Sequence, residues 1–216
     1  MIKKGIILAG GYGTRMSPLT KAVNKQLLPV YDKPLIYYPL SVLMLAGIKN
    51  ILIIVNKGQL RQFRNLLQDG SRLGIKITYA EQSKPRGLPD AFVLGEKFIG
   101  KDNVALILGD NFFYGQSLTK KLKSCLSLKL GCKILVHPVS KPELYGVAIT
   151  NKKNKILSIK EKPKNSKSNL AITGLYFFDN KVVNYSKTLR PSKRDELEIV
   201  DLLNIYKRKK KLSAEY

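Results

Sequence analysis

GIILAGGYGTRMSPLT, residues 5–20, is the stretch whose reading decides the fold. An apolar run of strand length passes directly into a turn with glycine at positions 10, 11 and 13, and then into Thr14 and Arg15. Glycine has no Cβ and tolerates positive φ, so such a turn lets backbone N–H groups approach a ligand closely. The usual ligand is a phosphate. A hydroxyl and a guanidinium just after the turn add a donor and a permanent cation where an anion would sit. Two common phosphate templates do not fit. G-x-G-x-x-G needs glycine where Met16 stands, and G-x-x-x-x-G-K-[ST] finds no Gly-Lys pair here.

Outward from this stretch, apolar runs of strand length alternate with segments of helical period. NILIIV (50–55), IKITYA (75–80), NVALILG (103–109) and CKILVHPV (132–139) continue the strand series. YPLSVLMLAG (38–47) ends in a glycine suited to a helix C-terminus. GQLRQFRNLLQDG (58–70) puts Leu60, Phe63, Leu66 and Leu67 on one helical face, with Arg61 and Arg64 toward water. Helices are also expected at 89–99 and 117–130. The pattern predicts an α/β fold with a mostly parallel central sheet, helices on both faces and ligands outside the carboxyl ends of the strands.

After residue 140 the strands become closer and more polar, as YGVAIT, KILSIKEKP and LAITGLYFFD, and are expected as antiparallel additions over the sheet edge. LEIVDLLNIYKRKKK (197–211) reads as a last helix, with Leu197, Val200, Leu203 and Leu212 near helical spacing and cations at its end. No Gly/Ser linker or repeat divides the chain, and one domain over 1–216 is expected.

The 216 residues, 44% of them hydrophobic, suffice for a substantial core. No apolar run reaches membrane-span length, and the N-terminus lacks the pattern of a signal peptide, so a cytoplasmic protein without a membrane partner is expected. Cys125 and Cys132 read as small packing residues. His137 is the only histidine, which excludes histidine triads and clusters. The formal charge of +24 raises nucleic-acid binding, with KRKKK (207–211) as the densest basic run and a steep salt dependence as its signature. Only eight of the 39 basic residues are Arg, and the aromatics sit inside apolar runs. The charge is therefore read as solvated surface, with no nucleic-acid partner.

Asp110 follows VALILG in LGDNFFYG, so an apolar strand delivers one carboxylate to the edge that carries the glycine turn. A Mg²⁺ held by one or two carboxylates and by substrate phosphates asks little more of a protein. Lys25 and Gln26 in NKQLLPVYDKP, Gln82 and Gly87 in YAEQSKPRGLPDA, and Glu161 and Lys162 in IKEKP supply further cations and polar groups. Taken together they suit transfer of a phosphoryl or nucleotidyl group, where charge neutralisation and in-line positioning dominate.

GIILAGGYGTRMSPLT, KQLLPVYDKPLIYYPLSVLMLAGI, LILGDNFFYG, LYGVAI, KEKPKNSKSNLAITGLYFFD and RDELEIVD together resemble the bacterial sugar-phosphate nucleotidylyltransferases, most closely their glucose-1-phosphate thymidylyltransferase branch. The resemblance runs from residue 5 to about residue 206. It implies a Rossmann-like nucleotidyltransferase fold that joins dTTP and glucose 1-phosphate into dTDP-glucose with loss of pyrophosphate, for dTDP-rhamnose and polysaccharide biosynthesis, with Mg²⁺ as cofactor. Carried over residue by residue, it implies that Leu8, Gly10, Gly11, Gly13, Thr14 and Gln26 hold the nucleotide. Arg15 and Lys25 would act on the departing pyrophosphate, Gln82 and Gly87 would meet the thymine edge, and Asp110 would carry the metal. Asn111, Tyr145, Gly146, Glu161 and Thr173 would line the sugar site, with Lys162 and Arg194 on the sugar phosphate.

Two departures accompany the resemblance. Tyr12 stands where the family commonly has a small residue, so its ring is expected to point outward. A W-L-D-T-G-T segment, whose aspartate is the second metal ligand, and the helices used in assembly do not occur before Tyr216. The expectation is therefore a truncated member that binds nucleotide with one metal carboxylate and exposes core near LAITGLYFF, and a homo-oligomer is not assumed without those helices. Its alternative is a catalytically impaired nucleotide-sugar binding protein or half of a two-chain enzyme.

Overall fold

The structure, a computed structural model, describes residues 1–151 and 155–216. The chain begins with β1 (Lys4–Ala9), α1 (Leu19–Ala22), a small antiparallel hairpin of β2 (Pro29–Val30) and β3 (Lys33–Pro34), and α2 (Tyr37–Leu45). It continues through β4 (Asn50–Asn56), α3 (Leu60–Leu67), β5 (Lys76–Gln82), α4 (Asp90–Leu94), α5 (Glu96–Ile99), β6 (Val104–Leu108) and α6 (Leu118–Leu126). The remainder comprises β7 (Cys132–Pro138), β8 (Gly146–Thr150), β9 (Ile156–Glu161), β10 (Leu170–Phe178), α7 (Val182–Lys187), α8 (Ile199–Arg208) and β11 (Leu212–Glu215).

The principal sheet has the order β11-β7-β10-β6-β1-β4-β5. Its neighbours run parallel except where β10 is one of the pair. Both faces are covered, and the strands show it by having apolar residues at consecutive positions. Ile7, Ile53, Ile107 and Phe177 pack under Leu40 of α2, Phe63 of α3 and Leu122 of α6. Ile6, Leu52, Leu106 and Phe178 pack under Phe92 of α4, Val182 of α7 and Leu203 and Tyr206 of α8. Each such side chain, fully removed from water, contributes about 1.5–3 kcal/mol before ordering entropy is subtracted. The expected α/β fold with helices on both faces is present, and Arg61 and Arg64 lie exposed as the α3 periodicity predicts.

Several local expectations are corrected. β10 is not laid over an edge but sits between β6 and β7, antiparallel to both. Ala171, Ile172, Leu175, Phe177 and Phe178 are buried, so the core expected to be exposed near LAITGLYFF is covered. LAITGLYFF is apolar on both faces and therefore suits an interior strand, whereas the more polar β8 and β9 form a hairpin beside it. The last helix stops at Arg208, and Leu212 lies not on its face but in β11, which pairs in parallel with β7. The helix expected at 89–99 is divided at Gly95, where the backbone packs against Ile6 and Leu52 so closely that a Cβ would crowd both. Cys125 and Cys132 are free and buried, as their reading as packing residues requires. Among the described residues no helix is long and apolar enough to cross a membrane.

Candidate active site

Parallel pairing brings the carboxyl ends of β6, β1, β4 and β5 side by side. Leu8 pairs with Leu108, Ala9 with Val55, and Asn56 with Gln82, so the residues that follow β1 and β6 open onto the same edge as Asn56 and Gln82. The Gly109 N–H donates to the Leu8 carbonyl (2.9 Å) and ties β1 to the turn carrying Asp110. Gly10 lies beneath the Gln82 amide, where a Cβ would overlap it, so a side chain here would have to displace Gln82. The Gly11 N–H donates to Asn56 Oδ1 (3.1 Å), and Asn56 Nδ2 donates to the Gly11 carbonyl (3.0 Å). Gln82 Nε2 donates to the same Oδ1 (2.9 Å). Thr20 Oγ1 donates to the Gly13 carbonyl (2.9 Å) and closes the far side of the turn. Tyr12 is 65% exposed and points outward, as its bulk beside this turn demands.

Lys25 Nζ lies 2.8 Å from Asp110 Oδ2, and both side chains are partly open to water. Such a pair contributes little to stability, about 0–1 kcal/mol, and is cheaply rearranged around a ligand. Gly13, Thr14, Arg15, Met16 and Lys25 line a hollow of about 270 Å³, which joins the turn to two cations. Asn24 supports it from below: its side chain donates to the Ala9 carbonyl (3.2 Å) and accepts from the Gln26 N–H (2.8 Å). Gln26 is buried against Gly109, and its Oε1 has no hydrogen-bond partner among the described residues. Larger hollows lie elsewhere, one of about 430 Å³ between Arg86 and Lys187, but neither the glycine turn nor Asp110 lines it.

The sugar-side candidates gather on the β8–β9 hairpin and the segment before α8. Gly146 pairs with Glu161, and the Lys162 N–H donates to the Tyr145 carbonyl (3.0 Å). Arg194 Nη2 lies 2.7 Å from Glu198 Oε2 and 3.3 Å from Glu161 Oε1, while Ser192 Oγ donates to Glu198 Oε1 (2.7 Å). The hydrogen bond to Glu198 and the neighbouring carboxylates hold the Arg194 guanidinium still more firmly in its charged form. The Asn111 amide, with its oxygen and nitrogen placed to suit both partners, ties Asp110 to β10, donating to Asp110 Oδ1 (3.3 Å) and accepting from the Gly174 N–H (2.9 Å). Thr173 Oγ1 is turned away toward β7, where it donates to the Leu135 carbonyl (3.1 Å). Gly87, at φ 100°, presses against the Leu197 backbone, whose N–H donates to the Arg86 carbonyl (2.7 Å). The loop after β5 and the Arg194 segment are thereby in contact.

Asn56, Asn24 and Glu198 are hydrogen-bonded to the candidates Gly11, Gln26 and Arg194 but are absent from the set expected from the sequence. Asn56 carries the same signal as Asp110, a polar residue closing an apolar strand. Asn24 and Glu198 carry none, because neither sits in a pattern that sets it apart from an ordinary surface polar residue.

A glycine turn, flanking cations and one carboxylate at the carboxyl edge of a parallel sheet define a protein that handles nucleotide phosphates, and the chain belongs to the nucleotidyl transferase family, whose model matches residues 4–216. Within that family it is similar to glucose-1-phosphate thymidylyltransferases. The enzyme of that name from Neisseria meningitidis is 56% identical over 203 residues, which are 94% of this chain and 70% of the relative. That from Mycolicibacterium smegmatis is 49% identical over 212 residues, 98% of this chain and 73% of the relative. A crystal structure described as a glucose-1-phosphate thymidylyltransferase of Bacillus anthracis with a sucrose superposes with a TM-score of 0.90 at 42% identity, covering 98% of this chain and 85% of that one. A UDP-glucose pyrophosphorylase complexed with UDP-glucose gives 0.84 at 27% identity, covering 99% and 90%.

The family generally uses a divalent metal. Among the described residues no three potential carboxylate, histidine or cysteine ligands cluster. Asp110 alone fits a hard cation that takes most of its oxygens from substrate phosphates and water, and such sharing is usual for Mg²⁺.

Proposed function

We propose that this chain transfers the thymidylyl group of dTTP to glucose 1-phosphate, forming dTDP-glucose and pyrophosphate, with Mg²⁺ as the metal. The observation that carries the reading is the Lys25–Asp110 pair beside the Gly10–Thr14 turn, at the edge where parallel strands end. The names of relatives up to 56% identical support the substrates. A sheet shared by nearly all the described strands supports treating 1–216 as one nucleotidyltransferase domain. The cytoplasm, where free nucleotides are available, is the proposed setting.

In this reading the turn at Gly10, Gly11, Gly13 and Thr14, with Leu8 and Gln26 beneath it, takes the triphosphate. Gln82 and the backbone at Gly87 meet the base. Arg15 and Lys25 neutralise charge on the pyrophosphate as it leaves. Tyr145, Gly146, Glu161, Asn111 and the backbone at Thr173 surround the sugar, and Lys162 and Arg194 hold its phosphate. A phosphate oxygen of glucose 1-phosphate attacks the α-phosphorus, and the bond to the β-phosphate oxygen breaks with its electron pair leaving on pyrophosphate. Both nucleophile and leaving group are anions, so no proton transfer is required. Mg²⁺ held by Asp110 would supply Lewis-acid stabilisation of charge at the reacting phosphate. The protein's own share is orientation, worth up to roughly 7–11 kcal/mol in well-aligned cases.

The test is pyrophosphate release from dTTP, glucose 1-phosphate and Mg²⁺, with Asp110→Ala measured beside the parent chain. Release that falls by at least about a hundredfold in the variant, the loss of an electrostatic stabiliser of this kind, supports the reading. A folded parent chain that binds dTTP in a Mg²⁺-dependent way without release would favour a nucleotide-binding protein instead.

A further inference from the structure

Asn56 ends β4 as Asp110 follows β6, it is 8% exposed, and the chemistry above makes no use of it. Its amide brackets Gly11: the oxygen takes the Gly11 N–H and the nitrogen gives to the Gly11 carbonyl. These two bonds determine which end of Asn56 is oxygen, because an N–H can face only an acceptor and a carbonyl only a donor. That oxygen also receives Gln82 Nε2, so Gln82 must present its nitrogen, and not its oxygen, to Asn56. The orientation of the Gln82 amide is therefore inherited from the peptide groups of the glycine turn.

We propose that Asn56 is a positioning residue that couples the triphosphate turn to the base-reading amide and thereby sets nucleobase selectivity. The inference rests on the proposed role of Gln82 at the base. Held this way, Gln82 keeps its carbonyl oxygen and its second N–H for the ligand. That pair complements an imide edge, a ring N–H beside a carbonyl, which thymine and uracil share. Cytosine offers the reverse, a ring nitrogen acceptor beside an amino donor. A Gln82 whose amide is locked faces both cytosine groups with like polarity, and buried mismatches of this sort cost more than the matched bonds gain. A Gln82 free to turn would accept either base.

The test is calorimetric titration of the full chain with dTTP and with dCTP in Mg²⁺, using the parent, Asn56→Leu and Asn56→Asp. Asn56→Leu removes the lock: dTTP affinity is expected to fall about tenfold, the loss of one or two buried hydrogen bonds, and the dTTP-over-dCTP ratio to approach one. Asn56→Asp keeps the acceptor shared by Gly11 and Gln82 but sets a carboxylate oxygen against the Gly11 carbonyl. Both triphosphates should bind it more weakly, with the ratio preserved. A merely structural residue would lower both affinities alike in both variants. A folded Asn56→Leu with an unchanged ratio, or Asn56→Asp losing the ratio as fully as Asn56→Leu, overturns the inference. If Asn56→Leu does not fold, Asn56→Ala, which removes the same acceptor, takes its place: a dTTP-over-dCTP ratio near one supports the inference and an unchanged ratio overturns it. A parent that binds dTTP without preference over dCTP defeats the inference alone, whereas a parent that does not bind dTTP defeats the reading of the site as well.

Discussion

Asp179 is 1% exposed, and the structure handles a carboxylate so deeply placed by partnering both its oxygens. Oδ2 accepts from the Gly131 N–H (2.7 Å) and Oδ1 from the Tyr206 hydroxyl (2.7 Å), which anchors α8 to the chain leaving β10 and to the turn entering β7. Tyr206→Phe leaves one of these oxygens without a donor and is expected to lower unfolding free energy by about 1–3 kcal/mol, read by denaturant titration, with the fold intact. The same bond gives a pH dependence. Burial first, and then the hydrogen bond to Asp179, push the Tyr206 hydroxyl well above its ordinary value. The unfolded chain therefore releases a proton near pH 10 that the folded chain retains, and stability should fall as pH rises beyond about 10. Tyr206→Phe should flatten that fall; an unchanged alkaline slope would show that other groups produce it.

Between elements, the loop after β5 and the segment before α8 meet where Gly87 touches Leu197. At φ 100° a residue with a side chain is strained, and here its Cβ would also run into the Leu197 backbone. Gly87→Ala is expected to cost about 1–2 kcal/mol from the backbone conformation alone, seen as a lowered melting temperature, and to weaken dTTP binding as the loop shifts. The residues on either side hold this loop in place. Arg86 pairs with the buried carboxylate of Asp90 at 2.7 Å, and Leu88 packs against the core formed by α4, α7 and α8. At this scale the helices and parallel strands are legible from periodicity. The end of α8 is not, because Leu212 keeps near-helical spacing beyond KRKKK while the backbone turns at Lys210, φ 55°, into β11.

Over the whole molecule, the two-sided sheet leaves the cysteines without access to solvent. Burial pushes the Cys125 thiol up to about 12 and raises that of Cys132 as well. Neither should react with a disulfide reagent at pH 8 while the chain is folded, and both should react on denaturation, since the thiolate is the nucleophile. Fast labelling of the native chain would contradict the packing of α6 and β7. The charge of +24 acts on the same scale. Most of the lysines are spread over the exposed surface, where salt screens their mutual repulsion, so melting temperature should rise with ionic strength.

The amino-acid sequence by itself determined the alternation of strands and helices, the edge at which a ligand would sit, and the residue types gathered there. Those follow from local rules: apolar periodicity, glycine where the backbone must turn, a carboxylate closing an apolar strand. Only the tertiary structure decided that β10 enters the middle of the sheet, that β11 closes its border, and that Asn56 joins Gly11, 45 residues away, to Gln82, 26 residues away. Periodicity records how much of a residue is buried and on which face. It does not record which strand lies alongside or which amide a buried amide will meet, because those partners are chosen by packing among segments distant in the chain.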